Sequence, residues 1–340
     1  MEPVLDPAGW SPESLDDVEG WSYQLTDADS AELIEATQSI QRNAISPKAV
    51  SHTNFPLRAF AEILRDVRHE LLDGRGIVML QNFPVEQLDR QGQVIAYLGL
   101  GSYLGRPMSQ NMQGHILGHV KDLGGDYADP GTRGYLTRNE LRFHSDACDY
   151  VGLLCLQTPM NGGASLVASS VTVYNRLLER RPDLVEVLAQ DFHRSRTGDV
   201  NPGDEAWFKQ PVFSFNEGYL SAIGAGAGID KAVGLPGVPP MSQAQKDAIR
   251  LYREVAAECA AAIPFRRGDV QFLNNWVTLH SRRAYEDWPE AARKRHLLRL
   301  WLSDPDGRPV PKEQREGRAG RGVLPAGVKL NAPFDVQGIA

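Results

Sequence analysis

The chain has 340 residues, 42% hydrophobic and 23% charged, which is ordinary globular content and enough chain for one large domain with insertions, expected to span residues 1–340. Its formal net charge of −7 repels a phosphate backbone, and the one basic cluster, Lys312 to Arg321, is too local to reverse that, so no nucleic-acid partner is expected. No apolar run approaches the roughly 18 residues of a membrane helix, and Met1-Glu2-Pro3-Val4-Leu5-Asp6 lacks a basic-then-apolar leader, so a cytoplasmic chain without membrane contact is expected.

In chain order, residues 1–50 are rich in Pro and acids, with a helical stretch at Asp29 to Arg42, and read as an N-terminal segment wrapping the surface. From Leu57 to Asp73 the apolar positions Phe60, Ile63, Leu64, Val67 and Leu71 keep helical spacing, and Gly74 is a natural stop. Gly76-Ile77-Val78-Met79-Leu80 reads as a strand, a second amphipathic helix covers about Gln87 to Leu104, and Gly114 to Val120 continues the sheet. Helices near Val171 to Glu179 and Pro182 to Gln190 interrupt the strands. Pro211-Val212-Phe213-Ser214-Phe215 leads to the Gly-rich Ala222 to Gly228, whose Gly224-Ala225-Gly226 is a poor nucleotide signal and reads as a mobile loop. Ser242 with Gln245 three residues later forms a capping box, opening a long helix that reaches about Ala262. Beyond Trp301 the composition turns to Pro, Gly and Arg, and residues 305–340 are expected to run as an extended surface tail.

The residues that carry chemistry fall in strand-like segments. Leu141-Arg142-Phe143 leads into His144-Ser145-Asp146 and the apolar Val151 to Leu156 leads out, which puts the triplet at a strand edge. On a strand, residues i and i+2 share a side, so His144 and Asp146 can grip one ion while Ser145 faces away. His280 closes a second strand-like segment that runs from Asp269 through Leu273 and Trp276 to Leu279. Two imidazoles and one carboxylate are the set that holds iron(II) on one face and leaves the other open. In Arg295-His296-Leu297-Leu298-Arg299 the two arginines share a face with Leu297, while His296, Leu298 and Leu300 face the other way. A guanidinium projecting into a sheet interior needs an anion, and a dicarboxylate co-substrate supplies one that the planar fork matches bidentately. A second guanidinium at Arg299 is more charge than that carboxylate neutralises, which predicts either an anionic group on the substrate or an Arg299 that supports 2-oxoglutarate from behind or pairs with an acidic side chain.

These motifs, with Asn161-Gly162-Gly163-Ala164-Ser165, resemble the taurine dioxygenase-like branch of the iron(II)/2-oxoglutarate-dependent dioxygenases, over about Gly76 to Trp301. The resemblance implies a mainly β chain with flanking helices, a double-stranded β-helix or jelly roll, with iron at its open end. It implies that His144, Asp146 and His280 are the iron ligands and the catalytic centre. It implies that Arg295 binds the distal carboxylate of 2-oxoglutarate beside Ser165, which stands where the family's Gly-Gly-Asp-Thr turn has threonine, and that Arg299 is the second family arginine, nearer the prime substrate. The implied cofactors are Fe(2+), 2-oxoglutarate and O2. The implied reaction hydroxylates an unactivated carbon of a small anionic metabolite and releases succinate and carbon dioxide. Retention of Asp146 argues against halogenation, because a chloride would need the position that this carboxylate fills. The competing reading is a jelly-roll metal-binding protein or a metal enzyme that does not use 2-oxoglutarate; Arg295 with Ser165 discriminates between them. A small molecule is the expected partner, and a homo-oligomer stays open.

Cys148, Cys155 and Cys259 make neither a disulfide framework nor a zinc spacing. Cys155 and Cys259 read as buried small hydrophobes, whereas alternation also allows Cys148, two residues past Asp146, to line the pocket. His115 and His119 lie in an extended segment as sheet residues or substrate contacts, and His296 reads as structural. Gln110, Asn111, Asn139, Arg196 and Trp207 fall in expected loops, where substrate contacts concentrate.

Overall fold

The computed structural model describes residues 1–126, 132–196, 199–201, 203–316 and 323–335. Two sheets face each other. In the larger, Ser22–Gln24, Ile77–Gln81, Val270–Asn274, Tyr150–Gln157 and His296–Ser303 lie side by side, and His296–Ser303 pairs on its far edge with both Arg106–Pro107 and Leu117–Val120. The first pair is parallel and the remaining pairs are antiparallel. The smaller sheet runs Ala260–Ile263, Ser165–Ser169, Thr278–Arg282, Leu141–His144, antiparallel throughout. Together they form a jelly roll with its helices on the outer faces.

Side-chain alternation decides which face each residue serves. On Val270–Asn274, Val270 and Phe272 join the outer cluster with Leu33, Ile40, Phe60, Leu64 and Leu98 from the helices Asp27–Arg42, Ala59–Asp73 and Arg90–Gly101. Leu273 points between the sheets, with Ile77, Met79, Val151 and Trp301. Behind the smaller sheet, Ala168 and Leu279 pack on Val173, Tyr174 and Leu177 of helix Ser170–Arg180 and on Tyr252 and Val255 of helix Gln243–Glu258. Thr26 and Ser242 each open a helix with a reciprocal capping box, satisfying N–H groups that the first turn leaves unpaired.

Two boundaries differ from the sequence reading. The helix begun at Ser242 stops at Glu258, and Ala260–Ile263 is an edge strand on Ser165–Ser169. An alanine run favours helix locally, but sheet pairing overrides that weak preference. The segment read as strand-like from Asp269 to Leu273 and again from Trp276 to His280 is two strands in different sheets. Between them Asn274 turns the chain, its Oδ1 accepting from the Trp276 amide at 3.0 Å while its Nδ2 donates to the Leu71 carbonyl at 3.0 Å.

The tail also departs from a plain extended run, because Lys312–Glu316 is helical; residues 317–322 and 336–340, including Arg318 and Arg321 of the basic cluster, lie outside the described residues. Asp149 ties the tail to the sheets: it accepts from Arg315 Nη1 at 2.5 Å, from Trp276 Nε1 at 2.7 Å and from the Asp304 amide at 2.8 Å. Arg308 reaches back to Asp6 at 2.5 Å. His119 and His296 are buried against each other, with His119 Nε2 2.9 Å from the Pro333 carbonyl and His119 Nδ1 2.8 Å from His296 Nε2. A carbonyl only accepts, so His119 Nε2 donates to it and His119 Nδ1 accepts from His296. Among the described residues no helix is long and apolar enough to cross a membrane.

Gly152 sits where strand and helix touch closely: a Cβ there would lie 2.5 Å from Tyr97 Oη and 2.6 Å from Phe272 Cε1. Gly152→Ala should cost about 1–3 kcal/mol by overpacking, read as a lower denaturant midpoint at unchanged slope. The histidine pair sets a pH dependence. Burial, then the neighbouring His119, depress His296 to about 2 from the ordinary 6.5, so its neutral form is the folded one. The unfolded chain takes up the proton first, and stability should fall as pH drops below 6.5 towards 2. Replacing both His119 and His296 by Leu should flatten the acid limb of a stability-against-pH curve.

Candidate active site

His144 ends the strand Leu141–His144 and stands directly opposite His280 in the antiparallel pairing, with ring centroids 4.3 Å apart. Asp146 follows past the strand end, and its Oδ2 lies 3.8 Å from His280 Nε2. One ligand atom from each of the three falls within 4.8 Å of the others, close enough to converge on one ion. The donor nitrogens are free for it. His144 Nδ1 lies 2.8 Å from the Arg142 carbonyl and must donate to it, which leaves Nε2 with its lone pair. Burial and the adjacent His144 depress His280 to about 3, so it is neutral. Burial alone would raise Asp146, but Arg299 first, with the hydrogen bond from Trp301, outweighs it and holds the carboxyl below its ordinary range. Two imidazoles and a carboxylate are the donor set that iron(II) takes, so these residues fit the metal.

His144 is backed by the Gly-rich segment. A Cβ on Gly226 would lie 2.8 Å from His144 Cβ, and one on Gly224, which has φ +64°, would lie 3.1 Å from His144 Cα. Arg194 fixes this segment by donating to the Gly224 carbonyl at 2.9 Å, and to those of Pro211 and Gln210 at 3.2 and 3.3 Å. The stretch expected to be a mobile loop is a close-fitting wall behind His144.

Asp146 is oriented from the larger sheet. Trp301 Nε1 donates to its Oδ2 at 2.8 Å, and Arg299 Nη1 lies 3.3 Å from both oxygens. Arg299 Nε donates to Gln110 Oε1 at 2.9 Å, and its guanidinium lies over the Tyr135 and Trp301 rings at 4.6 and 4.9 Å. The charge argument for a substrate anion at Arg299 is thereby corrected: Asp146 supplies the counter-charge from within the chain.

Behind the histidines a cavity between the sheets is lined by Ser165, Leu153, Arg295, Leu297 and Arg299. Arg295 is 3% exposed and has no carboxylate within 4 Å of its guanidinium among the described residues. Its Nη1 makes no hydrogen bond; Tyr285 stacks near it at 5.1 Å, and Asp287 accepts from its backbone amide, not its side chain. Asp287 acts on it from beyond 4 Å, so the buried cation has no ion-pair partner among the described residues. Ser165 is buried, with its hydroxyl 3.0 Å from Gln271 Oε1. These residues fit a dicarboxylate whose far end meets Arg295.

On the outer side a cleft of about 270 Å³ opens over His144 and Asp146, walled by Tyr135, Arg194, Phe208, Trp276 and Lys231. None of Gln110, Asn111, Asn139, Arg196 and Trp207 lines it; Gln110 is buried on Arg299 instead. Cys148 does not line it either: its thiol faces the Tyr150 carbonyl at 3.3 Å, inside the core. His115 is held by Asn111 at 3.0 Å. Trp301 was within reach of sequence reasoning, because it continues the alternation Arg295, Leu297, Arg299 by one step. Gln110, Arg194 and the glycines approach from distant segments and carry no local signal.

A family model described as taurine catabolism dioxygenase TauD, TfdA family matches residues 41–301. The chain is 29% identical to FR-33289 synthase of Streptomyces rubellomurinus over 91% of its length and 93% of the relative's. It is 28% identical to a taurine hydroxylase-like protein of Stachybotrys chartarum, covering 88% of this chain and 79% of that one. Among solved structures, asparagine oxygenase in complex with Fe(II), 3-hydroxyasparagine and succinate matches with a TM-score of 0.65 at 17% identity, over 90% of this chain and 99% of that one. The non-heme iron oxygenase OrfP in complex with Fe and alpha-ketoglutaric acid matches with a TM-score of 0.61 at 16% identity, over 83% and 94%. At such identities the structural likeness shows the fold.

Trp301→Phe keeps the ring and removes the hydrogen bond to Asp146. It should lower iron(II) affinity about 10–100-fold without loss of fold, read by metal titration with circular dichroism as the control.

Proposed function

The chain belongs to the taurine catabolism dioxygenase TauD, TfdA family, and on that premise we propose that it hydroxylates an unactivated carbon of a small anionic metabolite held in the cleft over His144 and Asp146. It is an iron(II)- and 2-oxoglutarate-dependent dioxygenase, an oxidoreductase that consumes O2. The reading of a metal protein that does not use 2-oxoglutarate is set aside by that membership.

In this reading His144, Asp146 and His280 hold iron(II), and Arg295 with Ser165 grips the distal carboxylate of 2-oxoglutarate. Bound iron, with the 2-oxo acid and oxygen, supplies the oxidant that takes hydrogen from the substrate carbon, as the 2-oxo acid is converted to succinate and carbon dioxide. The chain's residues do the positioning. Trp301 and Arg299 fix the Asp146 carboxylate, the Arg142 carbonyl fixes the His144 tautomer, and Tyr135, Phe208 and Trp276 wall the cleft with apolar surface that limits water. The observation that carries the co-substrate assignment is the buried Arg295 guanidinium with an unbonded Nη1 and no carboxylate partner.

The substrate class rests on charge. The cleft is lined by Arg133, Arg142, Arg194, Lys231 and Arg299, and among the described residues its one lining acid is Asp146. Asp199 pairs with Arg133 and Asp230 with Arg142, but Arg194 is met by backbone carbonyls and by no carboxylate among the described residues. That potential favours an anion. The hydroxyasparagine and hydroxy-arginine named for the two solved relatives each carry a carboxylate, though neither carries a net negative charge.

Arg295→Ala should weaken 2-oxoglutarate about 10–150-fold while iron binding persists, and Arg295→Lys should restore it only in part, because an ammonium cannot form the fork. Succinate release across a panel of amino acids, sulfonates, phosphonates and aryloxy acids should be stimulated by anionic members. Unchanged 2-oxoglutarate affinity in Arg295→Ala would sink the co-substrate assignment; stimulation confined to uncharged or cationic compounds would sink the substrate class.

A further inference from the structure

Gln271 is out of place by composition. It lies in the middle of strand Val270–Asn274, is 0% exposed, and stands opposite Met79 on one neighbouring strand and Leu153 on the other. The inner surface around it is apolar, built from Ile77, Met79, Val151, Val167, Ile263 and Leu273. An amide in such a place should have all its hydrogen bonds made. Its Oε1 accepts from Ser165 Oγ at 3.0 Å, but its Nε2 has no partner. A second donor without a partner, Arg295 Nη1, lines the same cavity as Ser165. Two buried donors are thus unsatisfied, and Ser165 is bonded to the residue that carries one of them and shares a cavity with the other.

We propose that Gln271 is a positioning residue that turns the Ser165 hydroxyl onto the distal carboxylate of 2-oxoglutarate. The inference rests on the co-substrate reading above. A hydroxyl has one hydrogen, and a carboxylate only accepts. While Ser165 donates to Gln271 Oε1, it has nothing to give a carboxylate. The two orientations of a terminal amide occupy the same space, so a half-turn of the Gln271 amide exchanges acceptor for donor without moving its neighbours. Nε2 then donates to Ser165 Oγ, and the Ser165 hydrogen is released to the carboxylate beside Arg295. The chain Gln271 to Ser165 to carboxylate pairs the orphaned amide nitrogen in exchange for the amide oxygen, and the gain is the released hydroxyl hydrogen and the guanidinium, both satisfied by the same carboxylate. No proton leaves its heavy atom. Leucine or methionine at 271 would fill the space but hold the hydroxyl in no direction, whereas glutamate, an acceptor when ionised, would keep the hydrogen and repel the incoming anion.

The test is calorimetric binding of 2-oxoglutarate, and of 2-oxobutyrate as a probe without a distal carboxylate, to the Mn(II)-loaded enzyme without oxygen. Gln271→Met should raise the Kd for 2-oxoglutarate about 3–10-fold, Gln271→Glu should raise it further, and 2-oxobutyrate binding should be unchanged in Gln271→Met. Ser165→Ala and the double variant Ser165→Ala with Gln271→Met should have the same Kd, because the amide acts through the hydroxyl. Gln271→Leu serves as the second apolar variant should Gln271→Met be unstable. Wild-type 2-oxoglutarate binding in folded Gln271→Met or Gln271→Leu, equal weakening of both 2-oxo acids, or independent losses in the double variant would each overturn the proposal. If Arg295→Ala weakens 2-oxoglutarate and Gln271→Met does not, this inference fails alone; if Arg295→Ala is silent, the reading beneath it fails.

Discussion

The site depends on one register. His144 and His280 are direct partners across two antiparallel strands, and opposed residues in such a pair have Cβ atoms about 4.5–5.5 Å apart, so the imidazoles converge without any special loop. The strand that carries His280 pairs on its other side with Ser165–Ser169, which sets Ser165 opposite Arg282 and two residues along from the His280 partner Val167. One strand, paired on both sides, therefore places His280 against His144 and sets the position of Ser165. A slip of a single residue would turn His280 to the outer face, into the apolar layer of Leu279 and the helices behind it.

The larger sheet contributes the second half of the geometry along one strand face. Arg295 and Leu297 reach the inner cavity, Arg299 borders both the cavity and the cleft, and Trp301 reaches Asp146, all by the two-residue alternation of His296–Ser303 and its preceding residue. That regularity made much of the site legible. A histidine and a carboxylate two apart at a strand edge, a histidine in a later strand and two arginines four apart specify which side chains share a face, because strand periodicity is local and exact enough to count.

What stayed hidden depended on long-range approach. Nothing near Arg299 in sequence announces that Asp146, 153 residues earlier, neutralises it, so counting charges on one strand led to an anion that the fold already supplies. The closeness of Gly224 and Gly226 to His144 is likewise a property of two segments meeting, and a glycine-rich run reads as looseness until its neighbour is known. The two misplaced boundaries have the same origin. Ala260–Ile263 becomes strand because an edge of the smaller sheet is there to pair with, and the chain between Asn274 and Thr278 crosses from one sheet to the other at an asparagine turn inside a stretch that otherwise looks uniformly β.

The strand His296–Ser303 lies inside the larger sheet, between Tyr150–Gln157 and the short strands Arg106–Pro107 and Leu117–Val120, yet it is the last of the sheet strands to leave the ribosome. Until it arrives, Tyr150–Gln157 presents an unpaired edge, and the two short strands have nothing to pair with. Closure joins residues nearly 200 positions apart, a non-local contact of the kind that slows folding. A nascent or truncated chain of this protein thus carries an exposed, strongly apolar edge, Val151 to Leu156, that invites pairing with another chain. Expression yield should accordingly be governed by how soon that edge is covered after synthesis ends, more than by the stability of the finished fold.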